Sequence, residues 1–301
     1  MIKNPKVIDL FSGCGGMSLG FQNAGFDVVA AFDNWKPAVA TYESNFDHPI
    51  FNRDLADESV IEEIRKFKPD LIVGGPPCQD FSSAGHRDES LGRADLTISF
   101  TEIVIKIKPK YVVMENVPRI QGSQVFKTVK SKLKKAGYGL TITVIDASRV
   151  GTPQARKRLV LIAALGKKDD FLLTKLVAGY SDKQMTLHDY FGDKLGFEHY
   201  FRVPRSYQRR GIFSIHEPSM TIRGVDRPVP KGYPGHPGDT APLSEDIRTL
   251  TPKERSLIQT FPDDFIFEGP KTTVNQLVGN AVPVKLAEYV ANSLKEHINN
   301  E

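Results

Sequence analysis

The chain has 301 residues, 40% of them hydrophobic and 25% charged, and carries a net charge of +4. That length can bury a large core in one large domain or two smaller ones, and no apolar run approaches a membrane span. Two cysteines far apart in sequence exclude a disulfide framework and point to a reducing cytoplasm, and the seven scattered histidines offer no metal-ligand spacing.

Lys6–Phe11 is an apolar, β-branched run that ends in a glycine loop, and Met17–Ala24 follows as a helix. Asp27–Phe32 reads as a second strand and Lys36–Asn45 as a second helix. A helix around Glu58–Phe67 precedes the short buried strand Asp70–Val73. Next come a helix near Thr97–Ile107, the strand Tyr111–Met114, a lysine-rich helix near Ser123–Ala136, and strands at Leu140–Ile145 and Leu159–Ala164. Alternation at this spacing predicts an α/β fold, a doubly wound and mostly parallel sheet with helices on both faces.

After about Lys175 the texture changes, and glycine and proline thicken from Val203 to Pro242. Such a stretch cannot form a long helix or a central strand, so it reads as a smaller, loop-rich second domain. It holds most of the basic surplus. Phe201–Lys231 has seven basic residues against two acids, and six of the seven are arginine, the side chain suited to phosphates and guanine edges. A solvated basic loop has the same composition. Helical character resumes at Thr251–Thr260 and Val284–His297.

Three strand ends bring chemistry to one edge of the expected sheet. The first carries Ser12-Gly13-Cys14-Gly15-Gly16, glycines that let a ligand approach the backbone at a helix N-terminus. Asp33 lies 20 residues after Gly13, where an acid can bond ribose hydroxyls. Ser18 stands at the third position of the dinucleotide glycine pattern, so a nucleoside cofactor without a pyrophosphate fits better. The second strand end runs into Gly74-Gly75-Pro76-Pro77-Cys78, which mounts a thiol on a stiff loop. The third ends in Glu115-Asn116. Arg156 and Arg158 share one side of an extended segment, and two cations near Cys78 would favour its thiolate.

Taken together, these runs resemble the cytosine-5 DNA methyltransferases over nearly the whole chain. Asp9–Phe21 is similar to the family's first cofactor motif, Pro76-Pro77-Cys78-Gln79 to its nucleophile motif and Glu115-Asn116-Val117 to the partner motif. Gln154-Ala155-Arg156-Lys157-Arg158, Arg248–Phe265 and Gln276–Val284 match later motifs in the family's order. The resemblance implies S-adenosylmethionine as cofactor, with no metal. It would be held by Phe11, Ser12, Gly13, Cys14, Gly15, Gly16, Asp33, Asn34, Trp35, Asp54, Leu55, Pro76, Asn280, Ala281 and Val282. Cys78 would add to cytosine C6, Glu115 would serve N3, and Arg158 would hold O2 with Arg156 close by.

The substrate implied is a cytosine flipped out of double-stranded DNA. Gln79, Ser83, Asn116 and Gln154 would meet it from the catalytic side, and Arg209, Arg210, Arg223 and Arg227 from the basic segment. Residues 1–174 with 274–301 would form the catalytic domain and 175–273 the target-recognition domain, with Glu217–Ile222 its short shared element. A monomer of the bacterial cytoplasm is expected, of the kind that works beside a restriction endonuclease.

Overall fold

The computed structural model describes residues 4–77, 95–204, 206 and 208–300. The first half alternates β1 (Lys6–Leu10), α1 (Gly16–Asn23), β2 (Asp27–Asp33), α2 (Lys36–Glu43), β3 (Ile50–Asn52), α3 (Val60–Lys66) and β4 (Leu71–Gly74). It continues with α4 (Asp95–Ile107), β5 (Tyr111–Asn116), α5 (Gln124–Lys135), β6 (Tyr138–Asp146), β7 (Gln154–Ala155) and β8 (Lys157–Leu165). Beyond it lie α6 (Leu173–Ala178), α7 (Leu187–Phe191), β9 (His199–Phe201), β10 (Ile212–Ser214), β11 (Ser219–Met220), α8 (Pro252–Ile258), α9 (Lys271–Asn280) and α10 (Val284–Asn299).

The central sheet has seven strands in the order β3-β2-β1-β4-β5-β8-β6. β1 pairs in parallel with β2 and β4, and β4 with β5, whereas β8 runs antiparallel between β5 and β6. The sheet is therefore mostly parallel and doubly wound, as the alternation predicts. β8 reverses because the connection from β6, Ala147–Arg156, holds only one short 3-10 turn and the two-residue β7, with no α-helix to carry a parallel crossover. The strand reversal of chain order falls at β1 and β4, whose carboxyl ends open the crevice where such sheets bind ligands.

The strands are apolar on both faces because both faces are covered. Val7, Val73, Val113 and Val160 point into one core with Phe21 of α1 and Leu286, Val290 and Leu294 of α10. Ile8, Ile72, Val112 and Leu161 point into the other, with Ile64, Val104, Phe126 and Leu133 of α3, α4 and α5. Period-two alternation thus assigns each strand residue to a layer. By the same parity Asp9 belongs to the first layer with Val7. α10 contributes Leu286, Val290, Leu294 and Ile298 at four-residue intervals, and Gly20 lets α1 cross it closely, against Val284 and Ala287.

Two caps fix helix starts near the site. Ser123 Oγ accepts the Phe126 N–H at 3.1 Å at the head of α5, and Thr251 with Glu254 forms a reciprocal capping box on α8. The loop-rich part folds around β9 and β10, with Tyr200, Phe213, Ile215 and Ile222 sharing a core with Ile258 of α8 and Val278 of α9. Phe261 and Phe265 pack instead with Cys14, Ala38 and Ala281, beside the glycine loop.

Candidate active site

The loop after β1 is shaped by its glycines. Phe11, Gly13 and Gly15 all have positive φ, at 57°, 55° and 91°, a region that glycine enters without steric cost. The Gly13 N–H donates to Asp33 Oδ2 at 2.8 Å, and the Trp35 N–H donates to Asp33 Oδ1 at 2.8 Å. Asp33 therefore ties the loop after β1 to the loop after β2. Burial raises its carboxyl above the usual range, against the pull of those N–H groups. A Cβ on Gly13 would meet no described residue within 4 Å, so among the described residues the loop is open on that side. Ser12 Oγ is buried with no hydrogen-bond partner among the described residues. An open cradle with an orphaned hydroxyl and an acid behind it fits a nucleoside cofactor.

The rest of the proposed cofactor set divides. Asn34 and Asp54 are exposed and Trp35 is half-buried at this edge, with Arg53 N–H donating to Asp33 O at 3.0 Å to bring β3's loop alongside. Leu55 instead points into the core among Phe32, Val60 and Ile64, which leaves only its backbone for a ligand. Cys14 is buried, its thiol pushed up to about 12 by burial, and it donates to the Leu277 carbonyl at 3.7 Å. Gly16 lies hard against the Val282 carbonyl, so the Asn280–Val282 turn closes the loop from the α9–α10 side.

At the neighbouring strand ends, Arg158 Nε lies 2.7 Å from Glu115 Oε1, with the two side chains 14% and 13% exposed. Glu115 Oε2 comes within 3.4 Å of where a Cβ on Gly75 would stand, directly before Pro76-Pro77. Asn116 Nδ2 donates to the Pro76 carbonyl at 3.2 Å. The end of β5 thus grips the loop that leads to Cys78. Cys78 itself, with Gln79 and Ser83, lies outside the described residues. The floor beneath Glu115 is an apolar cavity lined by Met17, Phe21, Val113, Val160 and Val290. An acid held by one guanidinium over an apolar floor is arranged to deliver or receive a proton in a water-poor setting.

Two residues expected at the base do other work. Arg156 is 2% exposed and donates to the carbonyls of Ile222 at 3.0 Å, Gly279 at 3.3 Å and Ala281 at 3.1 Å. Both terminal nitrogens bond backbone carbonyls, while the buried Nε has no partner among the described residues, so Arg156 joins three segments rather than holding substrate beside Arg158. Gln154 is fully buried, donating to Gln259 Oε1 at 2.7 Å and accepting the Ile222 N–H at 2.9 Å. It does not face a base.

Among the basic residues, Arg210 is engaged by Glu217 through both guanidinium arms and lies 4.4 Å over the Phe213 ring. It braces β10 instead of presenting a charge outward. Arg223 donates to the Val203 carbonyl at 3.1 Å. Arg209 and Arg227 are exposed.

Sequence alone assigned no role to Arg255 in α8 or to Gln259, four residues on at its C-cap. Arg255 is 4% exposed, donates to Asn275 Oδ1 at 2.7 Å and to the Arg223 carbonyl, and lies 3.9 Å from Asp226. Gln259 donates to the carbonyls of Val278 at 2.6 Å and Ala281 at 3.0 Å. Two long polar residues at helical spacing, flanking Ser256-Leu257-Ile258, were the available signal.

Asp9 was also overlooked. It is completely buried, and burial pushes its carboxyl from 3.8 up to about 7. Between those values the folded protein holds a proton that the unfolded chain has released, so stability falls as pH rises through that window. At 1.36 kcal/mol per pKa unit the loss is about 4 kcal/mol. Denaturant titrations at pH 4.5 and 7.5 should show this slope flattened in Asp9→Asn, and an unchanged slope would place the titration elsewhere.

Among the described residues no helix is long and apolar enough to cross a membrane, and no cluster of His, Cys, Asp and Glu could hold a metal ion. A doubly wound sheet whose central crevice joins a glycine cradle to a carboxylate–guanidinium pair defines a methyltransferase. The chain belongs to the C-5 cytosine-specific DNA methylase family, whose model matches residues 5–206 and 203–296. It is a DNA cytosine-5-methyltransferase. It is 54% identical over 291 residues to the type II methyltransferase M.HindV of Haemophilus influenzae, covering 96% of each chain. Against the type II methyltransferase M.HgiDI of Herpetosiphon aurantiacus it is 52% identical over 295 residues, 98% of this chain and 95% of that one. The fold is similar to that of the Dnmt2 methyltransferase of S. pombe, with a TM-score of 0.75 at 19% identity over 99% of this chain and 100% of that one.

Proposed function

We propose that this enzyme moves a methyl group from S-adenosylmethionine to C5 of a cytosine flipped from a specific duplex sequence, as the modification arm of a type II restriction-modification system. The observation that carries the reading is the Glu115–Arg158 pair set against Gly75, three residues before Cys78 in sequence. The relatives named above, both type II methyltransferases, support the biological setting.

When bound, the cofactor supplies an electrophilic methyl on a sulfonium. Ser12–Gly16 and Asp33 would hold it, with Asp54 and the Asn280–Val282 turn at its rim. Cys78 thiolate forms a bond to C6, and the ring electrons move toward N3, which takes a proton from Glu115. Arg158 keeps Glu115 oriented and meets the ring at O2. C5, now enamine-like, takes the methyl, a base removes the C5 proton, and as the C6–sulfur bond breaks to return the thiolate N3 gives its proton back to Glu115. C6 lies inside the stack of a duplex, so the nucleotide must leave the helix first. Residues 175–273 are assigned the task of choosing which one.

Glu115→Gln preserves shape but removes the proton donor, and methyl transfer should fall about 100- to 10,000-fold, as measured by tritiated methyl incorporation into duplex DNA. Bisulfite sequencing of DNA from a host expressing the protein tests the whole reading, since it reports base and sequence together. Methylation of tRNA in preference to duplex DNA would overturn it. Neutralising Arg209 and Arg227 should each reduce the slope of log affinity against log salt by about one. An unchanged slope would show that this surface does not meet phosphates.

A further inference from the structure

Asp9 is the one ionisable group behind the cofactor loop that the proposed chemistry leaves without a task. Parity along β1 turns it toward α1, where Ser18 Oγ donates to its Oδ2 at 2.7 Å. Tyr42 OH donates in turn to Ser18 Oγ at 2.7 Å. His48 Nε2 lies 2.6 Å from the Tyr42 oxygen, and Gln22 Nε2 lies 3.4 Å from His48 Nδ1. Because Tyr42 spends its hydrogen on Ser18, His48 must donate from Nε2 and accept from Gln22 at Nδ1. Every donor in the row then points inward, from the half-buried His48 to the fully buried Asp9.

The other oxygen of Asp9 is treated differently. Oδ1 is buried with no hydrogen-bond partner among the described residues. One oxygen is served by a row of donors that suits a carboxylate, and the other sits where only a neutral carboxyl is comfortable. The groups acting on Asp9 are few. Asp33 from the end of β2 repels its charge, Ser18 from α1 stabilises it, and among the described residues no cation offsets them. Cys14 of the glycine loop, pushed up to about 12, stays neutral. Tyr42 of α2 is held above its ordinary value by burial and by Asp9, and burial lowers His48 against the opposing pull of Asp27 and Asp47. Asp9 and Asp33 together form an uncompensated acidic backing to the loop.

We infer that Asp9 gives up a proton when a cationic ligand occupies the glycine loop, the row Ser18, Tyr42 and His48 reversing its donors to pass the proton out to solvent, and takes it back when the ligand becomes neutral, so that the enzyme favours its sulfonium donor over the thioether product. The inference rests on the cofactor reading above. A sulfonium carries one positive charge more than the thioether left after transfer, and the ionised form of Asp9 is matched only to the first. Donor binding therefore releases a proton near neutral pH, and donor affinity rises with pH through that range while product affinity changes less.

The test is isothermal titration calorimetry of the full chain with S-adenosylmethionine and with S-adenosylhomocysteine, at pH 6, 7 and 8, in two buffers of different ionisation enthalpy. The wild-type protein should bind the donor about three- to tenfold more tightly relative to product at pH 8 than at pH 6, a pKa unit being worth a factor of ten. Asp9→Asn should lose both this change in ratio and the extra proton release. Ser18→Ala removes the bond that favours the charged form, so it should move the window to higher pH and keeps the test alive where Asp9→Asn folds poorly. Binding of both ligands with proton release that neither variant alters overturns the inference alone. Failure of the wild-type protein to bind either ligand overturns the cofactor reading and the inference with it.

Discussion

Cys78→Ser should lower methyl transfer to duplex DNA by at least about a thousandfold while leaving cofactor and DNA affinity within a few-fold. A thiol with an ordinary pKa near 8.5 is already a few per cent thiolate at neutral pH, whereas a serine hydroxyl has no comparable anion. The surroundings strengthen the contrast. β4 ends at Gly74, packed hard on the Leu10 carbonyl and the Phe100 ring, so the chain leaves the sheet on a fixed line. Pro76 and Pro77 then remove two backbone donors and fix φ, and Asn116 holds the Pro76 carbonyl. Effort spent on stiffness before residue 78 makes sense only for a group whose approach angle matters. Single-turnover incorporation of a tritiated methyl group measures the loss, and a serine enzyme within tenfold of wild type would sink the covalent mechanism.

Gly279→Ala should cost about 3 kcal/mol or more, and should lower the melting temperature by about 5 °C or more. A Cβ there would fall on the Gly224 nitrogen and the Arg223 carbonyl carbon, both backbone, so no rotamer change relieves it. The position is where the recognition segment touches the α9–α10 turn. Arg156 accepts no alternative either, because its bonds run to Ile222, Gly279 and Ala281 at once. Specific DNA binding should therefore fail before cofactor binding does. Thermal unfolding by circular dichroism, with donor binding by calorimetry, reads the two effects separately. A melting point within 2 °C of wild type would mean that the two backbones separate without strain.

Much of the sheet was legible because its strands are apolar on both faces and bounded by glycine, proline or charge, as in Asp70–Gly74 and Tyr111–Asn116. β3 was not, since Ile50–Asn52 is three residues long and edge-placed. The reversal of β8 was hidden for another reason, because strand direction depends on the connection and not on the strand's own residues. At the site, the spacing that puts an acid at the end of β5 and a glycine cradle after β1 is written in the chain. What a buried arginine or glutamine touches is not. Gln154, Arg156 and Arg210 look like surface residues in sequence, and only the carbonyls and carboxylate brought to them by distant segments show otherwise. Asp9 was passed over because a single acid inside an apolar strand gives no periodic signal.

The contact between α1 and α10 also orders events in time. One face of the sheet, with Val7, Val73, Val113 and Val160, is roofed by residues 286–298, the last part of the described chain. During synthesis that face is only partly covered, by α1 and α6, until α10 leaves the ribosome, long after its strands have been made. Any product cut short upstream keeps an apolar stripe exposed, a mark that proteases and chaperones read. A chain stopped before α10 has much of that stripe bare and little chance to persist, so completion of α10 is a quality check as well as a structural closure.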